Sequence, residues 1–145
     1  MLRMNKNLLF QQFVKFTASI HEVTHQLTKN SRPTDITAMQ YSIMEYIYVN
    51  QSVTLSEISD CLHISMPNTS REIKKLTEKG LLNKIENKED RRKQSISCTI
   101  EGQKKLETVF AEIEANFYSR IKDMSDNELE KIQEAIELLE KRIFF

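Results

Sequence analysis

The sequence predicts a mainly α (α+β) fold, in which short helices and one two-stranded ribbon form a central lobe between long N- and C-terminal helices. Three observations predict it. Two glycines and two prolines in 145 residues, with 29% of residues charged, are too few turn-formers for an all-β protein. Apolar residues recur at helical spacing through most of the chain. One stretch, Ser95 to Ile100, alternates instead with the period of a half-buried strand. The length suits a single domain, residues 1–145, whose core needs neither a disulfide nor a structural metal.

Leu9, Phe13, Phe16, Ile20, Val23 and Leu27 step by 4 or 3 residues, which predicts a long helix from about Asn5 to Lys29. Pro33 ends it, because the residue before proline is pushed out of the helical region. Thr37 is the expected N-cap of a second helix, with Gln40 able to return the hydrogen bond and Met39, Ile43, Met44, Ile47 and Tyr48 as its inner face. Thr54 and Glu57 repeat the capping pattern and open a short helix with Leu55, Ile58 and Leu62 inside and Cys61 beside that stripe. In "SMPNTSREIKKLTEKG", Ser65 is the natural cap, and Pro67 is tolerated because first-turn amides have no intrahelical acceptor. Gly80 can take the left-handed conformation that closes the helix. Periodicity puts Thr69, Ile73, Leu76 and Gly80 inside, and Pro67, Arg71, Lys74, Lys75 and Glu78 on the outward arc.

Two strands are expected next, about Leu81 to Glu86 and Ser95 to Ile100, with Ile96, Cys98 and Ile100 facing inward. Their connection carries Lys88, Asp90, Arg91, Arg92 and Lys93 at its tip. Thr99 can cap a further helix striped by Leu106, Val109, Ile113, Phe117 and Ile121. Ser125 with Glu128 caps the last helix, where Leu129, Ile132, Ile136, Leu139 and Ile143 again step by 3 or 4.

Net charge is zero, from 21 basic and 21 acidic side chains, which argues against a general polyanion binder. Its distribution is uneven. Residues 64–99 hold nine basic and five acidic side chains, whereas residues 100–145 hold seven and eleven. A local basic surface on a neutral body binds phosphates where needed without coating nucleic acid.

A short capped helix, a tight connection, a second helix with a basic outer face and a basic-tipped ribbon follow the order of a winged helix-turn-helix. A helix fits the major groove of B-DNA, where arginine pairs with guanine and asparagine with adenine. Ser65, Asn68 and Arg71 occupy the end that would enter. A thin ribbon tipped by Arg91 and Arg92 suits a narrow, electronegative minor groove. Asp90 beside them is assigned to holding the Arg92 guanidinium in place.

Over almost its full length the chain resembles the MarR family of bacterial transcriptional regulators. The resemblance is carried by "LSEISDCLHIS", "REIKKLTEKGLL" and "DRRKQSISCTIEG". It implies that Ser65, Asn68, Ser70 and Arg71 lie on the major-groove side and that Arg92, paired with Asp90, enters the minor groove. It also implies a homodimer held by interlocking terminal helices, about residues 1–33 and 101–145, around a DNA-binding lobe of about residues 34–100. Met66, Pro67 and Asn68 depart from the small or basic residues usual at this helix start, so base preference does not transfer. The resulting expectation is a cytoplasmic regulator, a repressor in particular, that binds a pseudo-palindromic double-stranded DNA operator, with Pro67, Lys74, Lys75, Lys88, Arg91 and Lys93 completing the contact set. A small-molecule effector that releases it is compatible with this expectation.

Other functions find less support. A winged-helix protein–protein adaptor without DNA binding is the alternative from another class. His21 and His25 have a chelating spacing, but neither cysteine nor a carboxylate cluster accompanies them, so no metal or other cofactor is expected. Cys61 and Cys98 read as buried, inert thiols rather than sensors. Tyr41, Tyr46, Tyr48, Met39 and Met44 read as core, with an effector pocket as the other option. No phosphate loop, H-E-x-x-H or G-x-S-x-G motif is present, so an enzyme is not expected, and no apolar run approaches the length of a membrane span.

Overall fold

The computed structural model of the chain describes residues 3–86, 89 and 94–144. Helix α1 (Lys6–Thr28) starts at Asn5, whose side chain accepts from the amides of Asn7 and Leu8. Then come α2 (Ala38–Asn50), β1 (Val53–Thr54), α3 (Leu55–Leu62), α4 (Met66–Glu78), β2 (Leu82–Glu86), β3 (Gln94–Cys98), α5 (Ile100–Ile121) and α6 (Asp126–Arg142). The strands form one antiparallel sheet in the order β1-β3-β2, with Val53 opposite Ile96 and Leu82 opposite Cys98.

The expected caps form. Thr37 and Gln40 make a reciprocal capping box at α2, as Ser125 and Glu128 do at α6. Thr54, Ser65 and Thr99 each accept from the amide three residues on. Apolar faces then meet in the central lobe, where Ile43, Met44, Ile47, Ile58, Ile73, Leu76, Leu82, Ile96 and Leu106 are closed off from water. Neither α1 nor α6 has a buried residue in the single chain. Their stripes, from Leu9 to Val23 and from Ile132 to Ile143, stand open, and so does Phe117 lower on α5.

Five positions differ from expectation. Strand β1 is an addition: two residues long, it exists because β3 offers a free edge to Val53 and Thr54. Met39 is 41% exposed, because Gln40 turns inward in its place to close the cap. Cys61 is exposed rather than buried. On α3 the buried neighbour of Ile58 is Ser59, whose hydroxyl donates to the Ile64 carbonyl at 2.5 Å and so rolls Cys61 outward. Gly80 is exposed rather than inside. It does take the left-handed conformation, φ +75°, just past the helix end, where it steers the chain toward β2. Ile100 is 71% exposed and helical rather than the inner end of a strand, because Thr99 caps α5 one residue earlier.

Candidate nucleic-acid interface

Helix α4 is placed by its two neighbours. The turn before it is closed by Ser59 on the Ile64 carbonyl and by His63 in the left-handed region, φ 53°. Ser65 Oγ accepts from the Asn68 amide at 3.3 Å, and Thr69 Oγ1 donates back to the Ser65 carbonyl at 2.9 Å. Thr69, Ile73 and Leu76 are fully buried. With that face fixed, Ser65, Pro67, Asn68, Ser70, Arg71, Lys74 and Lys75 are all exposed on the rest of the helix. They form one polar, basic surface.

Two side chains on that surface are already linked, with Arg71 Nη1 donating to Asn68 Oδ1 at 3.4 Å. Such a pair presents donors and an acceptor in a fixed relation, which is what reading a base edge requires. Lys75 Nζ lies 3.3 Å from Glu72 Oε1. The other Glu72 oxygen accepts from Gln40 Nε2 at 2.9 Å. This carboxylate and its amide partner were missed in the sequence; the spacing of Glu72 three residues before Lys75 signals the ion pair, but nothing local signals Gln40. At the far end Lys79 Nζ donates to the Asp35 carbonyl at 2.6 Å, and Asp35 also pairs with Lys105 of α5 at 2.5 Å. The lysine hydrogen bond holds the Asp35 carboxyl below the usual carboxylate range.

The ribbon of β2 and β3 runs toward the expected wing tip, with Glu86 opposite Gln94 as its last described pair. Lys88, Asp90, Arg91, Arg92 and Lys93 lie outside the described residues. Lys84 and Glu86 are exposed on β2, charges that suit a strand at the sheet's edge.

The remaining chemistry-bearing residues are dispersed. His21 and His25 are exposed on α1. Among the described residues no three potential ligands gather into a metal site. Burial pushes the Cys98 thiol up to about 11, which keeps it protonated and unreactive near neutrality. Tyr41 and Met44 belong to the core, and Tyr46 and Tyr48 pack against it. Tyr41 also borders a cavity of about 520 Å³ between α1 and α2, with His25, Arg32 and Glu45 on its walls. Burial raises the pKa of its phenol. No described helix is long and apolar enough to cross a membrane.

Residues 34–93, from the entry of α2 to the end of the ribbon connection, match the MarR family. The lobe carries the MarR family's pattern. A relative in Bacillus subtilis strain 168, an uncharacterized HTH-type transcriptional regulator named YhbI, is 26% identical over 118 residues, 79% of this chain and 77% of its own. A MarR family protein from Bacillus stearothermophilus superposes with a TM-score of 0.75 at 16% identity, covering 99% of this chain and 100% of that one. A mutant of MepR from S. aureus, bound to an oligodeoxyribonucleotide, superposes with a TM-score of 0.60 at 20% identity over 96% and 98% of the two chains. At such identities the two structures attest the MarR fold. Each of these likenesses is to a MarR-family protein or an HTH-type transcriptional regulator.

Proposed function

We propose that two copies of this chain bind a pseudo-palindromic operator, each laying α4 in a major groove, and that the occupied operator is repressed. The observation that carries the proposal is the outward face of α4: Ser65, Pro67, Asn68, Ser70, Arg71, Lys74 and Lys75 are exposed together on one helix whose opposite face is locked into the core. Arg71 and Asn68 read base edges, and Lys74 and Lys75 neutralise phosphates. Arg91 and Arg92 serve the flanking minor groove, with Asp90 orienting Arg92, and Lys88 and Lys93 complete the DNA contact set. The terminal helices, residues 1–33 and 101–145, hold the copies together, so that the two α4 helices sit about one duplex turn apart. The setting is the cytoplasm, where the chromosome is. The cavity between α1 and α2 is the place for a small-molecule effector, because a ligand wedged there shifts the lobe against the dimer helices and spoils the spacing.

Selection of bound sequences from a random duplex library by the native protein tests this directly, giving the operator and its half-site spacing together. On that duplex, Lys74→Ala should lower the slope of log affinity against log salt by about 0.9, the release of one counterion, and weaken all sequences alike. Arg71→Ala should cost about 1–3 kcal/mol and relax preference at one base position. Failure to enrich any duplex, with no salt-dependent binding to random DNA, leaves a protein–protein adaptor as the function.

A further inference from the structure

Gln40 is a buried amide with both ends occupied. At 4% exposure, its Oε1 accepts from the Thr37 amide at 3.1 Å while its Nε2 donates to Glu72 Oε2 at 2.9 Å. The first bond is the return half of a capping box, which glutamate makes equally well. The second crosses from the first turn of α2 to the middle of α4. Only an amide can make both, since an ionised carboxylate has no donor.

Glu72 is an unusual residue to hold in this way. It follows Arg71 directly, on the helix proposed to meet a polyanion, and its side chain keeps 21% of its surface exposed. An unheld carboxylate there would be free to swing toward phosphate and weaken binding by like-charge repulsion. Gripped by Gln40 on one oxygen and by Lys75 on the other, it stays on the flank. The same bond resists rolling of α4. A helix with its side chains is about 10–12 Å across, so a roll of about 20° moves its outer surface by roughly 2 Å, more than a base-edge hydrogen bond tolerates.

We propose that Gln40 is a positioning residue for DNA recognition: its bond to Glu72 sets the roll of α4 and keeps that carboxylate out of the phosphate-facing arc. The proposal rests on α4 being the DNA-contacting helix. The charged groups facing Glu72 are Lys75 on its own helix and Lys79 at that helix's C-cap, and α2 contributes Gln40. The Gln40 hydrogen bond foremost, then Lys75, holds the Glu72 carboxyl below its ordinary range. The link therefore stabilises the fold above that range and is lost as pH falls through the lowered folded value.

Gln40→Glu keeps the acceptor for the Thr37 cap but sets a carboxylate against Glu72. The double variant Gln40→Glu/Glu72→Gln exchanges donor and acceptor. Thermal unfolding followed from pH 4 to pH 8 reads the link without DNA. Gln40→Glu should unfold below the parent near neutrality and recover toward it in acid, where the facing carboxyls can share a proton, and the exchange variant should track the parent throughout. On the duplex enriched by the parent protein, Gln40→Glu should bind at least about tenfold more weakly, and the exchange variant should restore affinity. Glu72→Ala supplies a test of sign. It removes a negative charge, so repulsion alone predicts tighter binding, whereas loss of positioning predicts weaker binding. Tighter or unchanged binding by Glu72→Ala, parent-like unfolding and binding by Gln40→Glu near neutrality, or no rescue by the exchange would each overturn the proposal. If the parent enriches no duplex while the unfolding profiles behave as expected, the DNA-binding reading has failed, and the positioning role falls with it although the link is real.

Discussion

Gly102 carries no side chain because none would fit: a Cβ there would lie 2.2 Å from the Leu81 carbonyl oxygen. The crowding has a purpose. Thr99 donates its hydroxyl to the Gly80 carbonyl at 2.6 Å and its amide to the Leu81 carbonyl at 3.1 Å, while Thr99 Oγ1 accepts from the Gly102 amide at 3.0 Å. The start of α5 is thus stitched to the chain leaving α4. Gly102→Ala must push backbone apart, and overpacking of that kind costs about 2–3 kcal/mol. A chemical denaturation curve should show the unfolding free energy falling by that amount, as a lower midpoint with an unchanged slope. The Thr99 cap was visible in the sequence, but the carbonyl that demands glycine at Gly102 was not, because it comes from Leu81, a residue 21 positions away. Cys61 and Ser59 repeat the lesson. Periodicity allowed either to flank Ile58, and a hydroxyl finding the Ile64 carbonyl decided between them.

At the scale of elements, helix starts were the most legible features, since a cap is a bond between residues three apart and needs no distant partner. The side chains of Thr37, Thr54, Ser65, Thr99 and Ser125 all accept the expected amide. β1 was illegible for the opposite reason: two residues have no period, and pairing with β3 alone makes them a strand. The outward face of α4 was legible because one helical stripe, Thr69, Ile73 and Leu76, fixes the other. Helix α6, like α1, depends on its ends, having no buried residue in the single chain. Its capping box satisfies two amides, with Ser125 Oγ accepting from the Glu128 amide and Glu128 Oε2 accepting from the Ser125 amide at 3.0 Å. Ser125→Ala should cost about 1 kcal/mol. Because only association would bury α6, that loss should appear as a fall in unfolding temperature that deepens as protein concentration is lowered.

The whole molecule exposes 11569 Å², whereas a compact monomer of its 17.1 kDa mass exposes roughly 7,700 Å². The open apolar stripes of α1 and α6 contribute to this surface. Phe16 and Ile20 of α1 face Ile136, Leu139 and Phe144 across an open groove of about 360 Å³ with almost no polar lining but Glu140, and the rings of Phe13 and Phe144 meet at 5.9 Å. Apolar patches of this extent are rarely left in water, and the proposed second copy covers them while spacing the two α4 helices for one operator. Ile136, at 51% exposure on α6, is then the residue whose change separates folding from assembly. Ile136→Glu removes no buried contact of the single chain, so the central lobe should keep its helical signal and its thermal transition at the level of a folded monomer. In the assembled pair it would bury an unpaired carboxylate from each copy, at a cost of several kcal/mol. Sedimentation should therefore show a dimer for the parent and a monomer for the variant. Operator binding should fall by far more than one lost contact explains, because each monomer would hold a single half-site and lose the gain in effective concentration that joining two sites confers. A variant that stays dimeric with full affinity would place the pairing surface elsewhere on the chain.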